Sequence, residues 1–318
     1  MTSGTRVTAR PLRADETGFV VEVVNAVQPH HPWKEDEVRT WWSSAERMGS
    51  VRRLAIEADG VAVGWVTANK RYEAPAGEGL VLTFVRGDDR ELLDGAWALA
   101  EDACRDLGIG LARTSVWEDE HLALSVLDGR GWERRRRERF WRLDLAGQRE
   151  RLTALRDEAT SRVEAAGLRI VTAADLGGKD VYPALHQVDE TTSADIPSST
   201  PHVQTPYDVW LMWVDRSPDV PGRMWVAVSG GRPVGFSYLD HLQTPVTTGY
   251  TGVLREHRGQ GIARALKLHT LVQAIELGVD AVETDNDSEN RPILHLNEEL
   301  GYREIPGQLK LYRTLGVA

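Results

Sequence analysis

Apolar and polar positions change period from block to block along the chain. Arg53–Trp65 and Trp225–Phe236 each alternate over two short runs about a glycine-containing turn, the pattern of a strand hairpin. Val81–Val85 and the run ending at Val253 are short apolar strands that lead into helical spacing. Helices are predicted over Asp15–Val27 and Asp180–Glu190, over Trp33–Arg47 and Tyr207–Val214, and over Arg264–Glu276, which Gly278 closes. Strands that alternate with helices and carry hairpins predict an α/β (α+β) fold: a mixed, mostly antiparallel sheet with helices on both faces.

The pattern occurs twice. Gly64 and Gly235 occupy the same place in their hairpins, 171 residues apart. Leu122–Trp132 parallels Pro292–Tyr302, with Gly131 and Gly301 170 apart. Near-equal offsets at two places predict tandem domains over residues 1–146 and 168–318. Residues 147–167 are mostly good helix formers with Leu152, Leu155 and Val163 near helical spacing, so a linking helix is expected there. The basic run Arg134–Arg137 is expected to be a solvated turn before the strand Phe140–Leu145.

The most informative local feature follows Val253-Leu254. Arg258-Gly259-Gln260-Gly261-Ile262-Ala263 is a basic, glycine-rich turn at the start of a helix. Unpaired N–H groups and the helix dipole make such a turn an anion site, and glycine lets the ligand approach the backbone. A phosphate or pyrophosphate is therefore the expected ligand group. The turn lacks the Gly-Lys-Ser/Thr ending of a triphosphate loop and the G-x-G-x-x-G spacing of a dinucleotide fold.

It resembles instead the R-x-x-G-x-A pyrophosphate loop of GCN5-related N-acetyltransferases (GNAT). Asn290 to Tyr302 is similar to the same family's N-x-x-A-[IM]-x-L-Y-x-x-L-G-[FY] segment, at the family spacing. The resemblance covers roughly Leu168 to the C-terminus. It implies acetyl-CoA as co-substrate and no metal, with Arg258 through Ala263 on the pyrophosphate. It also implies a pantetheine arm between splayed strands, a thioester carbonyl polarised by backbone N–H groups near Val253 and Leu254, and a cofactor contact or helix cap from Asn290. The family tyrosine that protonates the leaving thiolate falls on Asn297, which can hydrogen-bond but cannot act as that acid. Asp240 and His241 are candidates to take the amine proton, with Asp189, Glu190 and Tyr250 as further candidates. The Pro-containing segment Thr191–Pro206 is expected to be a lid or acceptor loop.

The first copy departs from this chemistry. Its turn reads Arg86-Gly-Asp-Asp-Arg-Glu91, without paired glycines and with carboxylates at the helix start, so no CoA is expected there. A structural or pocket-walling role is the expectation for that half.

The reading implied is N-acetylation of a primary amine on a small molecule by direct attack in a ternary complex. Acetylation of an amino-sugar thiol is the alternative, since mycothiol synthases have similar length and also pair a degenerate first copy with an active second one. A silent acyl-CoA-binding regulator is the non-enzyme alternative. A formal charge of −10 disfavours a nucleic-acid partner and suits a cationic acceptor. No apolar run has the length of a signal or a membrane helix, which gives a cytoplasmic, non-membrane expectation. Monomer and homodimer both stay open. Cys104, the single cysteine, sits at an apolar helical position and is expected in the core.

Overall fold

The computed structural model describes residues 6–72, 77–197 and 202–316. Two compact units divide it: one drawn from Met1–Glu138 and Pro306–Ala318, the other from Arg139–Ile305.

The first unit contains β1 (Val7–Pro11), α1 (Thr17–Val27), α2 (Glu35–Met48), β2 (Gly49–Ala58), β3 (Val61–Arg71), β4 (Glu78–Val85), α3 (Arg90–Asp106), β5 (Leu111–Trp117), α4 (His121–Gly129) and the start of β6 (Glu133–Asp144). The second continues with α5 (Arg149–Ala165), β7 (Leu168–Thr172), α6 (Tyr182–Ser193), α7 (Tyr207–Val214), α8 (Val220–Arg223), β8 (Met224–Ser229), β9 (Arg232–Asp240), β10 (Val246–Val253), α9 (Ile262–Glu276), β11 (Ala281–Asp287) and α10 (Arg291–Leu300). The last strand, β12 (Arg303–Thr314), returns to the first unit from Pro306 onward.

Strand order in the first unit is β1-β2-β3-β4-β5-β12, and in the second β6-β11-β10-β9-β8-β7. Each sheet thus ends on a strand from the other half of the sequence. β12 pairs antiparallel with β5 from Gln308↔Trp117 to Thr314↔Leu111. The basic run lies inside β6 and not in a turn, contrary to its expected place. Acidic partners make the strand tolerable: Arg134 pairs with Asp128 at 2.6 Å and Arg137 with Glu118 at 2.6 Å, and Arg135 stacks over the Tyr312 ring.

Side-chain alternation along the strands builds two apolar layers in each unit. In the first, Trp65 and Phe84 face Val20, Val24 and Val38 of α1 and α2, while Val66 and Val85 face Leu92, Ala96 and Leu127 of α3 and α4. In the second, Val226 and Phe236 pack on Leu185, Trp210 and Val214, while Ala227 and Val234 pack on α9 and α10. The helix expected as a link, α5, buries Leu152 and Val163 in this second core, and Thr160 meets His269 of α9 at 2.9 Å. Cys104 is fully buried, and burial pushes its thiol up to about 12, so it packs as a small apolar group. Among the described residues no helix is long and apolar enough to cross a membrane.

Leu311 of β12 is fully buried in the first unit's core, 311 residues into the chain. Leu311→Ala should therefore cost about 2–5 kcal/mol in urea unfolding, whereas a surface strand would lose little.

Candidate functional site

β10 and β11 run parallel but pair at only two places, Val246↔Val282 and Thr247↔Glu283. β10 continues to Val253 with only β9 beside it, and β11 continues to Asp287. The strands therefore part after Thr247, and the backbone groups of β10 on that side lose their partner.

The direction of those groups follows from the β9 ladder. Leu254 N–H donates to the Val234 carbonyl at 2.9 Å, and the Tyr250 carbonyl accepts from Ser237 on β9. Backbone groups alternate in direction along a strand, so Thr251 and Val253 present theirs to the open side. This corrects the expectation for Leu254: its N–H is already spent on β9, and Val253 carries the free one.

The turn after β10 ends at Gly261, the N-cap of α9, which is left-handed (φ 79°) and offers no capping side chain. Gly259 is also left-handed (φ 77°). A Cβ at Gly259 would meet no atom within 4 Å, and one at Gly261 only the Arg162 Cδ at 3.9 Å. The N–H groups of Gln260, Gly261, Ile262 and Ala263 thus surround open space at the positive end of a 15-residue helix. Arg258 is partly committed to the turn itself: its Nε donates to the Val253 carbonyl at 2.9 Å and its Nη2 pairs with Asp195 at 2.7 Å. Asp195 also pairs with Arg255, and these two arginines hold its carboxyl below the usual range.

Asn290 stands at the N-cap of α10 but makes no capping hydrogen bond. Asn297 is fully buried; its Nδ2 donates to Asn286 Oδ1 at 2.7 Å, and its Oδ1 has no partner among the described residues. Asn286 was not foreseen; it lies on β11, four residues before the motif begins at Asn290.

Asp240 at the end of β9 is bound by Arg216 at 2.9 Å and accepts from Leu242 N–H. His241 beside it is held below its ordinary pKa by burial and by Arg223, and so is neutral near pH 7. Asp189 is raised by burial while accepting from Ser193 and the Trp210 indole. Glu190 accepts from Thr205 N–H and His202. Tyr250 turns toward α6, meeting Thr192 at 2.6 Å and Ser193 at 3.0 Å. Of the expected lid, residues 198–201 lie outside the described residues. No cluster of three or more His, Cys, Asp or Glu among the described residues is placed to hold a metal ion.

The corresponding place in the first unit is occupied by its own side chains. Asp89 caps α3, accepting from Glu91 N–H at 2.8 Å and Leu92 N–H at 3.2 Å. His31 stacks on Trp117 at 3.8 Å, and Gln28 donates to Glu120, whose buried carboxyl is raised to about 7.

One group escaped the sequence reading. Lys267 of α9 is 2 % exposed. Its one visible signal is a lysine on an apolar helix face, in register with Leu271 and Ala274. Its ammonium lies 5.2 Å from the Tyr302 ring centre. Burial lowers its pKa to about 8, against the weaker opposing pull of Asp285.

The chain resembles known proteins over most of its length. Residues 186–302 match the acetyltransferase (GNAT) family. No curated protein matches the chain. Among solved structures, a tandem GNAT protein from the clavulanic acid biosynthesis pathway is 19% identical, with a TM-score of 0.74 over 98% of this chain and 100% of that one. A GCN5-related N-acetyltransferase from Sphaerobacter thermophilus is 18% identical, with a TM-score of 0.67 over 96% and 95%. The glucosamine N-acetyltransferase region of a fungal multi-domain GH3 β-N-acetylglucosaminidase is 14% identical, with a TM-score of 0.69 over 98% of this chain and 38% of that one. The second half of the chain thus carries the match to the GNAT family, and the chain as a whole shares the fold of a tandem GNAT protein.

The buried lysine gives a stability test. An unfolded lysine titrates near ~10.4, whereas Lys267 titrates near about 8. Between these values the unfolded chain binds the extra proton, so stability rises with pH across that window. Urea midpoints measured from about pH 7.5 to about pH 10 should rise more in the wild type than in Lys267→Met; equal slopes would mean that the lysine is not held in a low-dielectric site.

Proposed function

We propose that this GNAT-superfamily protein transfers an acetyl group from acetyl-CoA to a primary amine of a small cationic molecule, by direct attack in a ternary complex. The observation that carries the reading is the uncapped α9 N-terminus, with open space over Gly259 and Gly261, beside the gap between β10 and β11. Those residues suit a pyrophosphate followed by a thin, extended arm. Gln260 through Ala263 would hold the diphosphate through backbone N–H groups, and Arg258 would shape the turn and add charge. Asn290, free of a capping duty, is available to the same ligand.

What the co-substrate supplies is an activated acyl carbon. The protein's part is to hold that carbon and the amine together and to exclude competing water. Val253 N–H, presented to the gap, is placed to polarise the acyl carbonyl in the manner of an oxyanion-hole donor. The acceptor amine arrives protonated at neutral pH and must lose a proton before it can attack. His241 suits that task, since it is neutral near pH 7, whereas the neighbouring Asp240 is engaged by Arg216. The acidic chain favours the approach of a cation.

The first unit is assigned a structural role, because Asp89 fills the helix terminus that a phosphate would need and the His31–Trp117 stack lies at the end of β5.

Calorimetric titration with acetyl-CoA should give one site per chain. Gly261→Val should abolish it, because the side chain would enter the phosphate position; circular dichroism must show that this strained variant still folds. Two sites would restore function to the first unit, and no site would remove the acetyltransferase reading. Asn297→Ala should lower kcat by less than ~10²-fold, below the range of a lost general acid; a larger loss with intact folding would make Asn297 essential to the chemistry.

A further inference from the structure

The tyrosine expected to protonate the leaving sulfur is absent, and its position holds an asparagine. The same unit buries another proton donor, Lys267. Lys267 enters the second unit's core from α9, one face of which packs on β8, β9 and β10. Its ammonium faces the ring of Tyr302, and Asp285 of β11 is the carboxylate that acts on it. The phenol of Tyr302 interacts in turn with Thr248 of β10. Thr248 and Asp285 lie just past Thr247↔Glu283, the last pair that joins β10 to β11. Lys267 is therefore set at the point where the two strands part.

The second unit also buries polar atoms without a formed hydrogen bond. Asn297 Oδ1, the Tyr302 hydroxyl and the Thr248 hydroxyl are all buried, and none has a formed hydrogen bond. Thr248 is near enough to counter part of the rise that burial imposes on the Tyr302 phenol, but the two hydroxyls stop short of good hydrogen-bond geometry. The unpartnered Tyr302 and Thr248 hydroxyls beside a buried ammonium cost stability.

The duplication provides the control. At an offset of 170, Trp97 and Trp132 stand where Lys267 and Tyr302 do. Those two indoles pack edge to face, 5.3 Å apart, in the first unit's core. An aromatic ring thus satisfies the same position in a fold with no phosphate loop. The ammonium is not needed to build the fold, and it is present only in the unit with the open helix terminus.

We propose that Lys267 is the general acid of the transfer, donating its proton to the sulfur that leaves the acyl carbon, with Tyr302, Thr248 and Asn297 lining its path. The inference rests on the acetyl-CoA reading above. As the amine nitrogen bonds to the acyl carbon, the carbon–sulfur bond breaks and its electron pair goes to sulfur. Sulfur takes a proton from the Lys267 ammonium, leaving a neutral amine on the lysine. The acceptor loses two protons in becoming an amide: one recharges Lys267 and the other leaves to solvent through the base. No oxidant or further reactant is required. With its pKa near about 8, Lys267 is mostly charged at neutral pH and loses the donated proton readily. The titratable groups facing it are Tyr302 and Asp285.

The test uses Lys267→Met, which keeps length and apolar bulk. Free CoA is titrated into wild type and variant by calorimetry, and the thiol of bound CoA is then titrated by ultraviolet thiolate absorbance. Both proteins should bind CoA. In the wild type the bound thiol should ionise at lower pH than in the variant, because the ammonium stabilises the thiolate. The variant's kcat should fall about 10²-fold or more, with KM for acetyl-CoA little changed. The wild-type kcat should also decline as pH rises through about 8, and that limb should vanish in the variant. Equal thiol titration in both proteins, with CoA bound, would overturn the role of Lys267 and leave the acetyl-CoA reading intact. Loss of CoA binding in the variant alone would make Lys267 a structural or binding residue and overturn it as well. A wild type that binds no CoA would overturn both readings.

Discussion

The second unit turns on where the pairing of two parallel strands stops. β10 and β11 share two residue pairs and then separate. A backbone strand that loses its neighbour must find other partners for its N–H and C=O groups. β10 solves half of this internally: the Val253 carbonyl accepts from Arg258 Nε. The Val253 N–H lies on the same side, away from β9. A single interruption of a ladder thus creates the slot, the donor within it and the turn that follows.

That turn is held from both sides. Arg258 reaches back to β10, while Asp195, beyond the end of α6, takes both Arg255 and Arg258. The arginine that sequence logic assigns to a phosphate therefore has a structural task as well, fixing the backbone of the turn.

Comparison of the two copies separates what the fold needs from what the chemistry needs. Both have hairpins and a parallel strand pair with a long helix between its strands. In the first, a carboxylate caps that helix and two indoles fill the core; in the second, glycine leaves the helix open and a buried ammonium lies over the Tyr302 ring. The aromatic pair and the aspartate cap are the more stable solutions by ordinary packing and capping rules. The second copy's departures from those rules coincide with its open site, as expected where local stability yields to function.

By itself the sequence determined the two copies, the hairpins, the α9 turn and the loss of the family tyrosine. These are local features: glycine at left-handed φ, apolar period, and residue spacing are written within a few positions of one another. Tertiary structure alone decided three matters. The closing strands trade places between units, because β12 and β6 pair with strands over a hundred residues away in sequence. Leu254 N–H turns toward β9 and Val253 N–H away from it, because strand register against β9 fixes the direction of each. Lys267 read as one charge among many until α9 packed on the sheet and buried it. Burial and register depend on contacts distant along the chain, and it is they that set the direction of a backbone donor and the proton affinity of an amine.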